Sequence, residues 1–445
     1  MAGKHRQPSR RRSPKRWLPG LTAVAVSATG LSTAVMTGTT TTMTVPAVKL
    51  AATVLPANST AQIFAGSTYY GQDYAKTDPP TQVVPFFLGP RGIAAAIDQH
   101  QNDANKVVVL SSGWGAGQTS TALALMQNDP ARRNIKLVIL DNNTNRAGGG
   151  FWTTYWMFAP LLLTSSQPTP SNTDVPVVDT AYEYNINSDA PTYPINIIAD
   201  LNSLVAYGYD YGAQATAPMP ADALAALPSD PQHYHYVVDT NGAVVRKDPV
   251  PGTITYVTFE SNGLPLVRPL RLLPGGDIVA NALQPALTDL VDWGYQNNKP
   301  IPDDPGITQP VGLLPPIGQT NATLGSLPTA IQTGAQDGAA SAAADIASPT
   351  SFVTKPVAEA KATAGIVTGI LPSSSLPSSS ANVANASTLA SGFSKTITPA
   401  SMPTSAVKTL AGNLSSALGG VAGSLTKAVQ KATGADLSGS HSTSK

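Results

Sequence analysis

Short apolar runs alternate with turn residues and helical patterns between residues 60 and 316. The runs KVVVL (106–110) and IKLVIL (135–140) are continuous and rich in β-branched residues, which is typical of buried strands in a parallel sheet. A glycine-rich turn and a helical stretch (119–127) separate them, and AQIFA (61–65) predicts an earlier strand. This order of strand, sharp turn, helix and strand predicts an α/β fold with a mostly parallel sheet flanked by helices.

The pattern changes after Pro316, where alanine, serine, threonine, glycine and proline dominate. Because such a segment has few bulky side chains to offset the entropy of ordering, residues 317–445 are predicted to be a low-complexity tail, disordered up to residue 400. Seven Val and Leu residues between 407 and 429 follow helical spacing and predict an amphipathic helix over 405–431. This stretch is either a frayed tail or a segment that docks on a membrane or a protein partner.

Charge is distributed unevenly along the chain. The first 48 residues contain seven Lys and Arg and no acidic residue, and removing these seven charges from the net charge of +1 leaves −6. Basic residues followed by an apolar, uncharged run to about residue 43 predict a signal peptide over 1–48, either cleaved or retained as a signal anchor. We therefore expect a secreted or envelope protein, although a disordered cytoplasmic leader is the alternative. The acidic remainder does not favour nucleic acid as a partner.

Cysteine is absent from the chain. This excludes disulfides, a thiol nucleophile and metal sites built on thiolates. No metal site and no cofactor is predicted.

The turn after KVVVL has the sequence GWGAG (113–117). In α/β-hydrolases the nucleophilic serine lies at the centre of a G-x-S-x-G turn between a strand and a helix, where small neighbours allow a strained backbone. The same frame here places Gly115 at the centre. A dinucleotide or phosphate turn is the alternative, but no acidic residue follows a second strand at the distance that such a turn requires.

Several separate segments, in matching order and spacing, resemble the PE-PPE domain of mycobacteria and their relatives from about residue 61 to 316. The turn SSGWGAG (111–117) resembles that family's motif GYSQGA, and LDNNTNR with the following GGG (140–150) resembles LxGNPNRPxGG. The segment YNINSDAPTYPIN with the later LN (184–202) resembles YDxxADFPxYPxNxxxxLNAL. Near the end, GLPLVRPLR (263–271) resembles ENLPLLxPLR, and VDWGY (291–295) resembles VxLGY. The resemblance implies a PE-PPE-like, cutinase-like α/β-hydrolase domain over 60–316 that acts as an esterase or acyltransferase on acyl lipids of the cell envelope.

Carried over position by position, the resemblance puts the catalytic serine on Gly115, the aspartate of YD on Asn185 and the histidine of YVHG on Tyr211. Asp189 keeps the family's residue, and it remains a candidate orienting carboxylate together with Asp174 and Asp179. Ser67 and Ala116 are the candidate residues for an oxyanion region.

These replacements predict a protein without catalytic activity. Glycine has no oxygen to attack a carbonyl, asparagine does not stabilise an imidazolium as a carboxylate does, and tyrosine is a poor base at neutral pH. A relocated site that pairs Ser112 with His233 or His235 is the alternative, which would leave an active esterase or acyltransferase. These histidines are otherwise expected in a surface loop.

Aromatic residues cluster after the two glycine-rich turns, at Trp114, Trp152, Tyr155, Trp156 and Phe158. They are expected either to pack in the core or to form the rim of a pocket for an acyl lipid or glycolipid, with FWTTYWMFAPLLL (151–163) as a lid. The sequence thus predicts a hydrolase fold that binds acyl lipid or a partner without catalysis.

Overall fold

The computed structural model describes residues 53–56, 67–74, 81–102, 106–162, 164–210, 212–348 and 355. By its internal contacts the chain divides into two units, residues 1–33 and 34–445, and all described residues belong to the second. The predicted strand at 61–65, the signal segment 1–48 and the amphipathic helix 405–431 lie outside the described residues. Within the described part of the chain, no helix combines the length and the apolar character that crossing a membrane requires.

Ten strands are described. They are β1 (Thr53–Pro56), β2 (Thr68–Tyr69), β3 (Gln72–Asp73), β4 (Gln82–Val84), β5 (Val107–Ser112), β6 (Ile135–Asp141), β7 (Val177–Tyr182), β8 (His233–Val238), β9 (Val244–Val250) and β10 (Ile254–Phe259). Eight of them form one sheet in the order β4-β1-β5-β6-β7-β10-β8-β9. All neighbours in this sheet are parallel except the antiparallel pair β8 and β9, and β2 and β3 form a separate antiparallel hairpin.

Helices cover this sheet as the alternating pattern predicts. They are α1 (Gly89–Asp98), α2 (Trp114–Leu125), α3 (Phe151–Thr154), α4 (Ile197–Asp210), α5 (Ala221–Ala225), α6 (Gly276–Asp292) and α7 (Ile317–Ala347). On one face, α1 and α2 pack on alternate residues of β5 and β6 in a first core. A second core on the other residues of these strands includes Tyr69 and Tyr70 of the hairpin, and a third joins α4 and α6. The predicted α/β fold with a mostly parallel sheet is confirmed.

The segment after Pro316 differs from the prediction. Residues 317–347 form the long helix α7 rather than a disordered segment. Its small residues allow close contact with α6, since a Cβ at Gly334 would overlap the carbonyl oxygen of Ala282 and one at Gly338 would lie 2.7 Å from the Ala282 Cβ. The indole Nε1 of Trp293 also donates to Thr320 Oγ1 at 3.0 Å. Bulky side chains are therefore not needed to hold this helix, and the ordered part of the chain extends past residue 316.

Candidate functional site at the carboxyl edge of the sheet

A single residue makes the turn between β5 and α2. β5 ends at Ser112 and α2 begins at Trp114, so the chain reverses at Gly113, whose φ of 55° and ψ of −125° are accessible mainly to glycine. The Gly113 N–H donates to the carbonyl oxygen of Asp141 at 2.9 Å. A Cβ at Gly113 would lie 3.3 Å from the side-chain Nδ2 of Asn187. Gly113 thus occupies a sharp, strained strand-to-helix turn of the kind that presents a nucleophile in α/β-hydrolases.

Gly115 does not occupy this turn. It lies buried in the first turn of α2, where its carbonyl oxygen accepts a hydrogen bond from Thr119 Oγ1 at 2.9 Å. The sequence-based placement of Gly115 at the strained position is wrong because α2 begins at Trp114, earlier than the helical pattern at 119–127 indicates. The Trp114 ring packs against Phe86 and Trp152, with ring centroids 5.2 Å apart in each pair.

The first N–H groups of α2 lie beside this turn. The Gly117 N–H donates to the carbonyl oxygen of Gly113 at 3.2 Å, so the N–H groups of Trp114, Gly115 and Ala116 precede the first bond within the helix. Such donors carry the partial positive charge of a helix N-terminus. Ala116 is buried here, whereas Ser67 Oγ donates to Asp73 Oδ1 at 2.8 Å in the hairpin segment.

The loop after β7 faces the turn. Asn185 is buried, its side-chain oxygen accepts from the Asn187 N–H at 3.1 Å, and its Nδ2 donates to Asp210 Oδ2 at 3.3 Å. Asp210 is the last residue of α4, and burial raises the pKa of its carboxyl group to about 7. The site therefore contains an amide and a carboxyl group in contact next to the strained turn.

Asp141 is the last residue of β6, and its carboxyl group accepts hydrogen bonds from four hydroxyl groups. Its Oδ2 accepts from Ser112 Oγ at 2.6 Å, and its Oδ1 accepts from the hydroxyls of Tyr70 at 2.9 Å, Thr180 at 3.1 Å and Tyr182 at 3.2 Å. Burial raises the pKa of Asp141, and these hydrogen bonds act against that rise. Ser112 thus donates to a carboxylate and has no imidazole as its partner.

The two candidate histidines lie far from Ser112. His233 and His235 are buried in β8, not in a surface loop, and β8 is four strands away from β5 in the sheet. At the usual strand spacing this separation is about 19 Å. His235 Nε2 lies 2.9 Å from Thr258 Oγ1, and burial lowers the pKa of this imidazole well below its usual value. The structure therefore does not bring Ser112 together with either histidine.

Residues 86–296 match the family model described as the PE-PPE domain. Over these residues the chain resembles a PE-PPE domain. Its relatives in Mycobacterium tuberculosis include the uncharacterized PPE family protein PPE42, which is 29% identical over 236 residues, or 52% of this chain and 37% of that protein. The esterase PE16 is 27% identical over 251 residues (53% and 43%), and the SL1278 acyltransferase Chp1 is 31% identical over 130 residues (29% and 28%).

These matches extend over part of each relative. The chain spans less than half the length of PPE42, PE16 and Chp1, with 37%, 43% and 28% covered. No solved structure matches the chain.

The geometry of the turn changes how the PE-PPE motif GYSQGA fits this chain. Written against residues 111–116 (SSGWGA), the motif places its serine on Gly113, and its last two residues are identical to Gly115 and Ala116. The match of Gly115 and Ala116 to the last two residues of the motif could have indicated this alignment from the sequence. The pattern G-x-G-x-G favoured a different alignment, because it is centred on Gly115.

The two other residues that the resemblance placed in a catalytic triad, Tyr211 and Asp189, do not lie in one observed cluster with Gly113. Tyr211 lies outside the described residues, between Asp210 and Gly212. Asp189 is buried and accepts the Tyr184 N–H at 2.6 Å, which fixes the loop after β7. Sequence reasoning missed Asp210, because only the fold brings it to Asn185.

The remaining carboxylate candidates do not face the turn. Asp179 is buried against Arg146, with Oδ1 and Nη1 3.0 Å apart, and its Oδ2 accepts from Asn143 Nδ2 at 2.7 Å. Asp174 lies before β7, at the opposite edge of the sheet, and forms an ion pair with Arg132. Neither residue contacts Asn185 or Gly113.

The aromatic residues that were predicted to cluster after the two glycine-rich turns fall into two groups. Trp152 and Tyr155 are buried, and the Trp152 ring packs against the half-buried Trp114 next to the turn. Trp156 and Phe158 are 54% and 46% exposed in the segment that follows α3. The expectation of core packing applies to the first group, and the second group remains available to a ligand.

Proposed function

We propose that this PE-PPE domain binds acyl lipid at the carboxyl edge of its sheet and does not hydrolyse it. The observation that carries the proposal is the glycine at residue 113, the strained turn position at which α/β-hydrolases present their nucleophile. Glycine adopts this backbone conformation without steric cost but offers no oxygen to attack an ester. The basic, apolar N-terminal segment supports a location outside the cytoplasm, in the secreted fraction or the envelope.

The groups around Gly113 support this proposal. Asn185 is an amide where the family motif has an aspartate, and its contact is the carboxyl group of Asp210. Among the described histidines, His100 follows α1 and contacts Gln82 at 2.9 Å, and the other two lie in β8. Without a serine and its base, kcat is expected to fall by about 10⁶ relative to an intact triad.

An exposed apolar surface favours lipid as the ligand. Leu161 is 76% exposed in the segment that follows α3, next to the exposed Trp156 and Phe158. Leu313, 88% exposed, lies near this segment because the Val311 N–H donates to the carbonyl oxygen of Thr154. Contiguous exposed apolar side chains of this kind mark lipid or protein binding surfaces. The names of PE16 and Chp1, an esterase and an acyltransferase, favour an acyl lipid over a protein ligand.

A binding assay with two matched variants tests this function. We expect the wild-type protein to bind a fluorescent long-chain fatty acid and to leave a p-nitrophenyl acyl ester intact. Leu161→Ser should weaken fatty-acid binding, whereas Leu125→Ser, which alters a leucine 59% exposed at the end of α2, should not. Robust hydrolysis by the wild type, or equal affinity for both variants, would contradict the proposal.

A further inference from the structure

A cavity of about 970 Å³ lies at the opposite edge of the sheet, where the strands begin. Its walls come from residues just before β5, β7, β8 and β10 and from residues before and at the start of β6. Gly113, Asn185 and Asp141 all lie at the carboxyl ends of the strands, so the cavity is separate from the site described above. This volume is large enough for a small organic ligand.

Four basic side chains and one acidic side chain line the cavity. Lys106 precedes β5, Arg132 and Arg133 belong to the 3₁₀ turn Pro130–Asn134, and Lys136 is the second residue of β6. The carboxylate among the lining residues, Asp174, is paired with Arg132. Within the described part of the chain, Lys106, Arg133 and Lys136 have no ion-pair partner. Three cationic side chains therefore line the cavity without an acidic partner among the described residues.

Arg132 gives this cluster a fixed, buried component. The residue is only 6% exposed, and its Nη1 donates to the carbonyl oxygens of Met126 and Gln127 at the end of α2 while its Nη2 contacts Asp174. Its Nε is buried and has no hydrogen-bond partner among the described residues. A buried donor without an acceptor destabilises the free protein, and a ligand oxygen that reached this nitrogen would satisfy it.

The other walls fit a ligand that is anionic at one end and apolar at the other. Thr253 Oγ1 accepts from the Thr173 N–H and donates to the Thr173 carbonyl oxygen, both at 2.8 Å, which joins two loops into a firm wall. Leu227 and Pro228 provide apolar surface beside the cations. Guanidinium and ammonium groups in such a cluster bind phosphate oxygens by charge-assisted hydrogen bonds.

We propose that this cavity is a binding site for a phosphate ester, held by Lys106, Arg133 and Lys136 beside the buried Arg132. The proposal does not depend on the lipid-binding function at the carboxyl edge. The phosphate belongs either to a soluble molecule or to a phospholipid headgroup, and these two sources share the same chemistry at the cations. A soluble ester would place its organic group on Leu227 and Pro228.

Calorimetry with the full chain tests the site in near-physiological salt, with inorganic phosphate and glycerol phosphate as soluble probes. Vesicles of phosphatidylglycerol, compared with vesicles of phosphatidylcholine, form the lipid arm. We expect Arg133→Gln to weaken binding of the bound probe by about tenfold or more, since a charge-assisted contact is lost. Arg91→Gln removes the same charge from an exposed position in α1 and should leave the affinity unchanged.

The outcomes separate the two phosphate sources. Arg133-dependent binding of glycerol phosphate without vesicle binding supports a soluble ester, and Arg133-dependent binding of phosphatidylglycerol vesicles supports a lipid headgroup. Failure of every phosphate probe to bind at millimolar concentration would overturn the proposal. Equal weakening by Arg133→Gln and Arg91→Gln would also overturn it, because it would show nonspecific attraction to charge.

Discussion

The ion pair between Arg146 and Asp179 provides a measurable test of the fold beneath the site. Arg146 is 1% exposed and Asp179 is fully buried, with the charged atoms 3.0 Å apart. Arg146 Nη2 also donates to Thr258 Oγ1 at 2.9 Å, and Asp179 Oδ2 accepts from Asn143. Burial raises the pKa of Asp179 to about 6 while Arg146 acts against the rise, so the carboxylate is mostly ionised at pH 7.

Asp179→Asn preserves the shape of this side chain and removes its charge. The Arg146 guanidinium would then remain buried without a counter-ion, and the loss of one partner of such a pair costs about 3–5 kcal/mol of unfolding free energy. Asp303→Asn is the matched control, because Lys299 and Asp303 are 52% and 70% exposed. An exposed pair contributes at most about 1 kcal/mol.

Urea denaturation at pH 7 measures both variants, by the midpoint and slope of a single transition. We expect a large decrease in the free energy of unfolding for Asp179→Asn and a small one for Asp303→Asn. Equal decreases would refute the reasoning, since they would show that Arg146 keeps its solvation without Asp179.

Two further predictions concern the packing of α7 and the pH dependence of stability that arises from the buried Glu183. Gly334→Ala should destabilise the protein by about 1–3 kcal/mol, because the added Cβ would overlap the Ala282 carbonyl oxygen. Gly325→Ala is the control, because a Cβ at Gly325 would meet open space and should stabilise the helix by up to about 1 kcal/mol. Denaturation midpoints that shift in the same direction for both variants would contradict the contact between α6 and α7. Burial raises the pKa of Glu183 from 4.5 to about 7, so its contribution to stability is present below pH 4.5 and is lost as the pH rises through 7. Glu183→Gln keeps an acceptor for the Ser261 N–H at 2.8 Å and should exceed the wild type in unfolding free energy at pH 8 by about 1–3 kcal/mol. A difference that does not shrink toward pH 4 would contradict this assignment.

Much of the central fold could be predicted from local patterns. KVVVL and IKLVIL are buried on both faces of the sheet, so their continuous apolar character identified β5 and β6. The helix α7 could not be identified in this way, because its contacts depend on small residues such as Gly334 and Gly338, whose composition also fits disorder. Helix packing through close backbone contact leaves little apolar signal in a sequence.

The site was less predictable than the fold. A glycine-rich turn does not reveal which glycine adopts the positive φ, and only the start of α2 at Trp114 identifies Gly113. His233 and His235 lie in HYHYVV, where neighbouring polar residues suggested a loop although both imidazoles are buried in β8. The contact between Asn185 and Asp210 joins residues 25 positions apart and required the tertiary structure.

The proposed function depends most on Gly113, which adopts the strained turn geometry of a nucleophile position but carries no hydroxyl group. Its direct test is labelling by a fluorophosphonate probe after the triad has been restored. One variant carries Gly113→Ser, Asn185→Asp, Tyr211→His and Asp210→Val, and the control variant carries Gly115→Ser with the same three changes. Asp210→Val follows the family motif YVHG and removes a carboxyl group whose Oδ2 lies 3.3 Å from Asn185 Nδ2, where it would repel a second carboxylate.

Mass spectrometry of the labelled proteins locates the probe. We predict no labelled serine in the wild type, a labelled serine at position 113 in the first variant, and no label at position 115 in the control. Labelling of the wild type, or labelling of the control at position 115 with none at position 113 in the first variant, would contradict the account.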